Sequence, residues 1–166
     1  VLVVTATLWR PRHSESPAPT VTQLSTERWA GGGSFSPDGA QIAYSAAGDD
    51  GVNWDIWLKL VGEPLARRLT SDRAAETQPA WSPDGAEVAL VDRAAPSAPS
   101  HISLLTLATG QKQALTRPED ECGQRPREWC GDRFPTFSPE GGLAFARATG
   151  RTDHVYLVDP STQALR

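Results

Sequence analysis

The sequence predicts an all-β chain: a β-propeller fragment of about three four-stranded antiparallel blades plus one N-terminal closing strand. Three observations predict it. A turn motif recurs as FSPDG at 35–39, WSPDG at 81–85 and FSPEG at 137–141. Apolar anchors follow each copy at matching distances. The motif recurs after 46 and then 56 residues, close to the roughly 40–50-residue length of a four-stranded blade.

The turns come first. Ser36, Pro37, Asp38 and Gly39 suit the four positions of a type I turn. So do Ser82, Pro83, Asp84 and Gly85, and so do Ser138, Pro139, Glu140 and Gly141. The serine hydroxyl can bond backbone two residues on. Proline presets φ at the second position, aspartate tolerates the third, and glycine supplies positive φ where the chain leaves. Such a turn joins two antiparallel strands.

The flanks supply those strands. Phe35, Trp81 and Phe137 stand before the turns and read as inter-blade packing residues. QIAYS (41–45), EVALV (87–91) and GLAFA (142–146) follow and read as second strands. DIWLKL (55–60), HISLLTL (101–107) and HVYLVD (154–159) read as third strands. Ile56 and Ile102 each lie 21 residues beyond their aromatic, and Val155 lies 18 beyond. Leu69-Thr70 and Leu115-Thr116 follow those isoleucines by 13 residues and mark fourth strands, with Leu165-Arg166 closing the third unit. The blades are thus approximately 32–70, 78–116 and 134–166. Leu24 lies 11 residues before Phe35, much as Leu69 lies 12 before Trp81. Residues 20–25 therefore read as the fourth strand of a blade whose other strands are absent. Three blades do not make a ring, which needs at least about four. The chain begins with Val1 and reads as part of a longer protein, with further blades expected elsewhere in it.

VLVVTATLW (1–9) is apolar but too short to span a bilayer, which takes about 20 residues. It reads as the exit end of a transmembrane helix or of a signal segment, against the alternative of an ordinary upstream strand. Residues 10–19 then form a Pro/Ser linker. Arg10, Arg12 and His13 fit the positive-inside rule poorly on that reading.

Cys122 and Cys130 fall in an insertion between blades, 117–133. From Thr70 to Trp81 is 11 residues, and from Thr116 to Phe137 is 21. A disulfide there would close a long loop and stabilise it by about 2–3 kcal/mol on the chain-entropy model. It would also place the chain in an oxidising compartment, outside the cytoplasm. Two free thiols, or half of a metal site, are the alternatives. His101 and His154 lie in other segments, so the metal reading lacks ligands.

No catalytic, cofactor or metal site emerges. GGSFS (32–36) is not a nucleophile elbow, and no phosphate loop or zinc motif is present. Asp49 and Asp50 lie in GDDGVNWD, which lacks calcium-loop spacing. Glu119, Asp120 and Glu121 read as a solvated tip. Asp55, His101 and His154 recur just before the third strands, which points to a structural hydrogen bond. The formal net charge of −4 and the absence of a basic stripe exclude nucleic acid as a partner for this segment. Loops 45–54, 71–77, 92–100, 117–134 and 147–153 should form one rim, where scaffolded loops carry function. Trp129, with Asp49 and Asp50, is the candidate contact for a protein partner or small ligand there.

QPAWSPDGAEVAL (78–90), with GGSFSPDGAQIAYS (32–45) and FPTFSPEGGLAFA (134–146), resembles the WD-repeat-like blades of the TolB family. Prolyl oligopeptidase-type peptidases share such blades. Gly33 replaces the usual proline in the first copy, and Glu140 the aspartate in the third. NWDIWLKLVGEPLARRLTSD (53–72) is similar to blades found after the membrane helix of bacterial one-pass regulators and kinases. The resemblance implies a non-enzymatic, extracytoplasmic binding module, part of a membrane-tethered sensor. The alternatives are a soluble periplasmic TolB-like propeller that binds envelope proteins, a peptidase's gating propeller and an intracellular interaction propeller. No catalytic residue carries over, because the shared residues are structural.

Open blade edges favour association. Expressed by itself, this segment should be oligomeric or poorly soluble. Light scattering showing a stable monomer would contradict that.

Overall fold

In the computed structural model the described residues are 18–48, 51–118, 130–150 and 152–162, with backbone alone at 164–165. They build twelve strands in three sheets. The first blade is β1 (Ala30–Phe35), β2 (Gln41–Ala47), β3 (Trp54–Leu60) and β4 (Ala66–Arg68). The second is β5 (Ala75–Trp81), β6 (Glu87–Arg93), β7 (His101–Thr106) and β8 (Lys112–Ala114). The third is β9 (Cys130–Phe137), β10 (Leu143–Thr149), β11 (Asp153–Asp159) and β12 (Ala164–Leu165). Each sheet is an antiparallel meander in chain order, and β5 lies against both β1 and β9. This is the architecture of a partial propeller.

The turns form as their residues dictate. Gly39 N–H donates to Ser36 O at 2.8 Å and Gly85 N–H to Ser82 O at 3.0 Å, with φ of 71° and 72° at the two glycines. The serine does more than bond locally. Ser82 Oγ donates to Asp84 Oδ1 at 2.6 Å and accepts from Glu87 N at 2.9 Å, while Ala86 N donates to Asp84 at 3.0 Å. Ser36, Asp38, Ala40 and Gln41 repeat this arrangement. Those donors hold the Asp38 and Asp84 carboxyls below their ordinary range, the serine hydroxyl first. The third turn is one residue shorter. There Ser138 Oγ accepts directly from Gly142 N at 3.2 Å.

Two apolar clusters fill the two inter-blade spaces. Ala43 and Ile56 meet Trp81, Val88, Leu90 and Leu105 between the first and second blades. Ala89, Val91 and Ile102 meet Leu143, Phe145 and Val158 between the second and third. Alternation decides this: Val88 and Leu90 point one way, Ala89 and Val91 the other. Trp81 and Phe137 are inter-blade residues as expected. Phe35 is not: it is 54% exposed, because no described blade covers its side of the first sheet.

Two further readings change. Residues 20–25 form no strand, since none among the described residues lies alongside to pair with them. Leu69-Thr70 and Leu115-Thr116 lie just past β4 and β8. There the threonine hydroxyl takes over the ladder. Ile56 N donates to Thr70 Oγ1 at 2.9 Å and Ile102 N to Thr116 Oγ1 at 2.8 Å. The leucine amides close the other side, on Ile56 O at 2.7 Å and Ile102 O at 2.8 Å. That geometry sets the 13-residue spacing.

The second and third blades are locked by a buried polar joint. Arg147 and Asp132 are both fully buried and pair in parallel, Nε to Oδ1 at 2.7 Å and Nη2 to Oδ2 at 2.9 Å. Thr116 Oγ1 donates to Asp132 Oδ2 at 2.5 Å. Asp132 N donates to Ser100 O at 2.7 Å, and Ser100 Oγ donates back to Asp132 O at 2.8 Å. The guanidinium also lies 5.4 Å and 5.1 Å from the Phe145 and Tyr156 ring centres. Gly131 makes this approach possible. Its φ is 140°, and a Cβ there would meet Ser100 Oγ at 2.4 Å and Ser100 N at 2.6 Å.

Gly131→Ala should therefore destabilise the fold by about 2 kcal/mol or more. Arg147→Met should cost about 3–5 kcal/mol, because Asp132 stays buried without its cation. Urea denaturation checks both. A loss under about 0.5 kcal/mol for either, the range of surface substitutions, would contradict the joint.

Candidate functional site

The antiparallel meander separates two ends of each blade. The SPDG-type turns lie at one end. The β2–β3, β6–β7 and β10–β11 loops and the links between blades lie at the other. At that second end, between the inner strands, is a cleft of ≈ 480 Å³. Trp54, Gln78, Arg93, Ser100, Arg133 and Phe134 contribute to its wall. A larger hollow, ≈ 950 Å³, lies by the turns between the second and third blades. Many of its polar groups are already engaged: Ser82 with Asp84, Thr106 Oγ1 with Glu87 at 3.3 Å, and Ser161 with Asp159. The rim cleft is the better site.

The cleft is shaped by a repeated irregularity. Each inner strand shifts register near its middle, between Gly31 and Gly33 in β1 and between Thr77 and Ala80 in β5. In β9 the shift falls opposite Ala144–Ala146. One residue at each bulge is left-handed: Gly32 at φ 52°, Gln78 at 54° and Phe134 at 56°. Non-glycine residues hold such a conformation at about 1–3 kcal/mol each. Gln78 and Phe134 also precede prolines, which push their neighbours toward extended backbone. A bulge re-aims a side chain. Phe134 is 63% exposed, and its N–H donates to Gln78 Oε1 at 2.6 Å, a brace from one blade to the next.

Under the rim lies a charge cluster. Lys112 Nζ is 2.5 Å from Asp72 Oδ2 and 2.8 Å from Asp92 Oδ2, and it also pairs with Glu76 Oε1. Glu76 is fully buried, and its Oε2 has no partner among the described residues. Burial, the largest influence, pushes the Glu76 carboxyl up against the pull of Lys112. Asp72 goes down: burial would raise it, but the Lys112 and Ala74 hydrogen bonds win. The Lys112 ammonium rises despite its burial, because three carboxylates surround it.

The sequence-predicted residues are placed unevenly. Ser36, Pro37, Asp38, Gly39, Ser82, Pro83, Asp84, Gly85, Ser138, Pro139, Glu140 and Gly141 form the turns, away from the cleft. Asp49, Asp50, Cys122 and Trp129 lie outside the described residues. Cys130 is buried at the start of β9 and borders the cleft. The sequence puts the insertion at 117–133, whereas β9 takes up residues 130–133. Asp55 is buried on Arg68 at 2.5 Å, the structural role expected of it, and His154 is exposed. His101 stands 3.9 Å from Asp92. Trp54 lines the cleft, and the indole N–H of Trp57 is buried without a partner among the described residues. Gln78, Arg93, Arg133 and Phe134 were not singled out from sequence. The faint signal was the residue before each Pro of the inner strands. Among the described residues no cluster of His, Cys, Asp or Glu could hold a metal, and no helix is long and apolar enough to cross a membrane.

No family profile matches the chain. Among curated proteins it is similar to the Tol-Pal system protein TolB of Anaeromyxobacter dehalogenans (strain 2CP-C), 36% identical over 74 residues. TolB of Anaeromyxobacter sp. (strain K) matches equally. The match covers 45% of this chain and spans only 16% of the relatives' length. Among solved structures, a TolB-like protein from Agrobacterium tumefaciens superposes with a TM-score of 0.70 at 20% identity, over 86% of this chain and 50% of that one. TolB from Acinetobacter baumannii gives 0.63 at 22% identity, over 82% and 31%. A puromycin hydrolase gives 0.62 at 23% identity, over 84% and 22%. At these identities the structures show a shared fold.

The Glu76 and Asp72 shifts have opposite consequences. A carboxyl raised in the fold contributes fully below its unfolded value and loses that share as pH rises through the folded value. A lowered one contributes above its unfolded value and loses its share as pH falls. Glu76→Gln removes the first effect. As pH climbs above 4.5, the ordinary value for this group, wild type should lose stability relative to the variant. Urea midpoints at pH 4.5 and pH 7 measure it, and an unchanged gap would contradict the assignment. By sequence over part of its length and by fold over most of it, the chain is a β-propeller module similar to TolB.

Proposed function

We propose that the chain belongs to an exported, soluble, TolB-like propeller that binds another envelope protein at its rim. The single observation that carries this is the sequence match to a Tol-Pal system protein, on a fold shared with two TolB structures. The cleft at the loop end supports the location of binding, since rigid scaffolds present contact residues on loops. A Cys122–Cys130 disulfide is part of the proposal, and it agrees with export. That no described cysteine is a free thiol supports it. Trp129, Asp49 and Asp50, which the sequence offers as candidate contacts, are part of the proposal. The membrane-tethered sensor draws no support from the relatives named above, and residues 1–9, on which it rests, lie outside the described residues. The peptidase reading rests on fold alone.

Cell fractionation of the native host tests the proposal. Osmotic shock should release the full-length protein with soluble periplasmic proteins, and Cys122 and Cys130 should resist alkylation until reduced. Sedimentation with membranes, or a cytosolic protein with two reactive thiols, would overturn it.

A further inference from the structure

The walls of the rim cleft have an uneven charge. Arg93 and Arg133 both line it, and no aspartate or glutamate among the described residues does. Arg133 is already paired, Nη2 to Asp153 Oδ1 at 2.6 Å. Its guanidinium also lies 6.0 Å from the Phe134 ring centre. Arg93 is exposed, and its side chain has no ion pair or hydrogen bond among the described residues. Beside these cations stand Trp54 and the exposed phenyl of Phe134, held outward by a strained bulge that Gln78 braces. Strain kept at a contact surface marks a residue positioned for binding.

We propose that this cleft binds an acidic, aromatic-bearing segment of a partner protein. A carboxylate of that segment pairs with Arg93 in the two-point geometry that guanidinium favours. An aromatic side chain of the segment packs on Phe134 and Trp54. Cation and aromatic anchors are the residue types that dominate protein contacts. The proposal rests on the rim being the binding face and adds the chemistry of what binds there.

The test uses the full-length protein and a short fluorescein-labelled peptide alternating Glu or Asp with Phe. A matched peptide carries Lys in place of each acid. Fluorescence anisotropy at low salt should show the acidic peptide binding, with affinity falling as salt rises. Arg93→Ala should weaken it about tenfold, roughly 1.4 kcal/mol. Phe134→Ala should weaken it comparably. Arg67→Ala, an exposed change on β4, should leave it unchanged. The net charge of −4 favours the Lys peptide everywhere else on the surface, so preference for the acidic peptide reports the cleft. Equal or tighter binding of the Lys peptide, or an Arg93→Ala protein that binds as wild type does, would overturn the proposal. Either result would leave the exported-propeller reading standing, because fractionation tests that separately.

Discussion

The inter-blade joint at the rim end is the constraint on which the rest depends. Side by side, two four-stranded sheets have only apolar contact to hold their angle, and apolar contact is non-directional. Thr116 and Asp132 add direction. One hydroxyl accepts from the Ile102 amide of its own blade and donates to the Asp132 carboxylate of the next. That carboxylate then takes a two-point bond from Arg147. With every group buried, each partner is costly to lose. The joint thereby sets where β9 lies relative to β5, and the cleft between them follows.

The preceding joint is looser. Glu76 stands where Asp132 stands, five residues before its aromatic, and faces the hydroxyl of Thr70. Its charge is answered by Lys112 of its own blade, and one carboxylate oxygen has no partner among the described residues. In the first blade Ala30 takes this position and no acid is present. The first inner strand is glycine-rich and its Phe35 is open to solvent. Val155, on the far side of the third blade, is 80% exposed. Both outer faces are thus built of apolar residues that blades cover elsewhere in the molecule.

Much of this was legible in the sequence, for physical reasons. The turns need serine, proline and glycine at fixed places, so they repeat in letters. The second and third strands alternate inward and outward residues and keep their spacing from the turn. Less local features were not legible. Leu-Thr reads as part of the fourth strand because its spacing is fixed. The fixed quantity is the reach of the threonine hydroxyl to Ile56 and Ile102. Residues 20–25 have a strand's composition, but a strand needs a neighbour, and composition does not supply one. Phe35 carries the motif of Trp81, yet its burial depends on a blade beside it. The cleft was missed because Gln78, Arg93, Arg133 and Phe134 are far apart in sequence and meet only through the bulges and the joint. The acid five residues before Trp81 and Phe137 was the one sequence signal of the joint.

The central claim is that the blades are coupled through the threonine–carboxylate joint rather than by apolar contact alone. Amide hydrogen exchange on wild type and Thr116→Val measures it most directly. The Ile102 amide loses its own acceptor in the variant, so its faster exchange is expected in any case. The account predicts that the Asp132 amide, which donates to Ser100 O, also loses protection, along with the neighbouring amides of β9. If β9 keeps its wild-type protection while Ile102 alone exchanges faster, the joint is a local cap and the blades are held by packing.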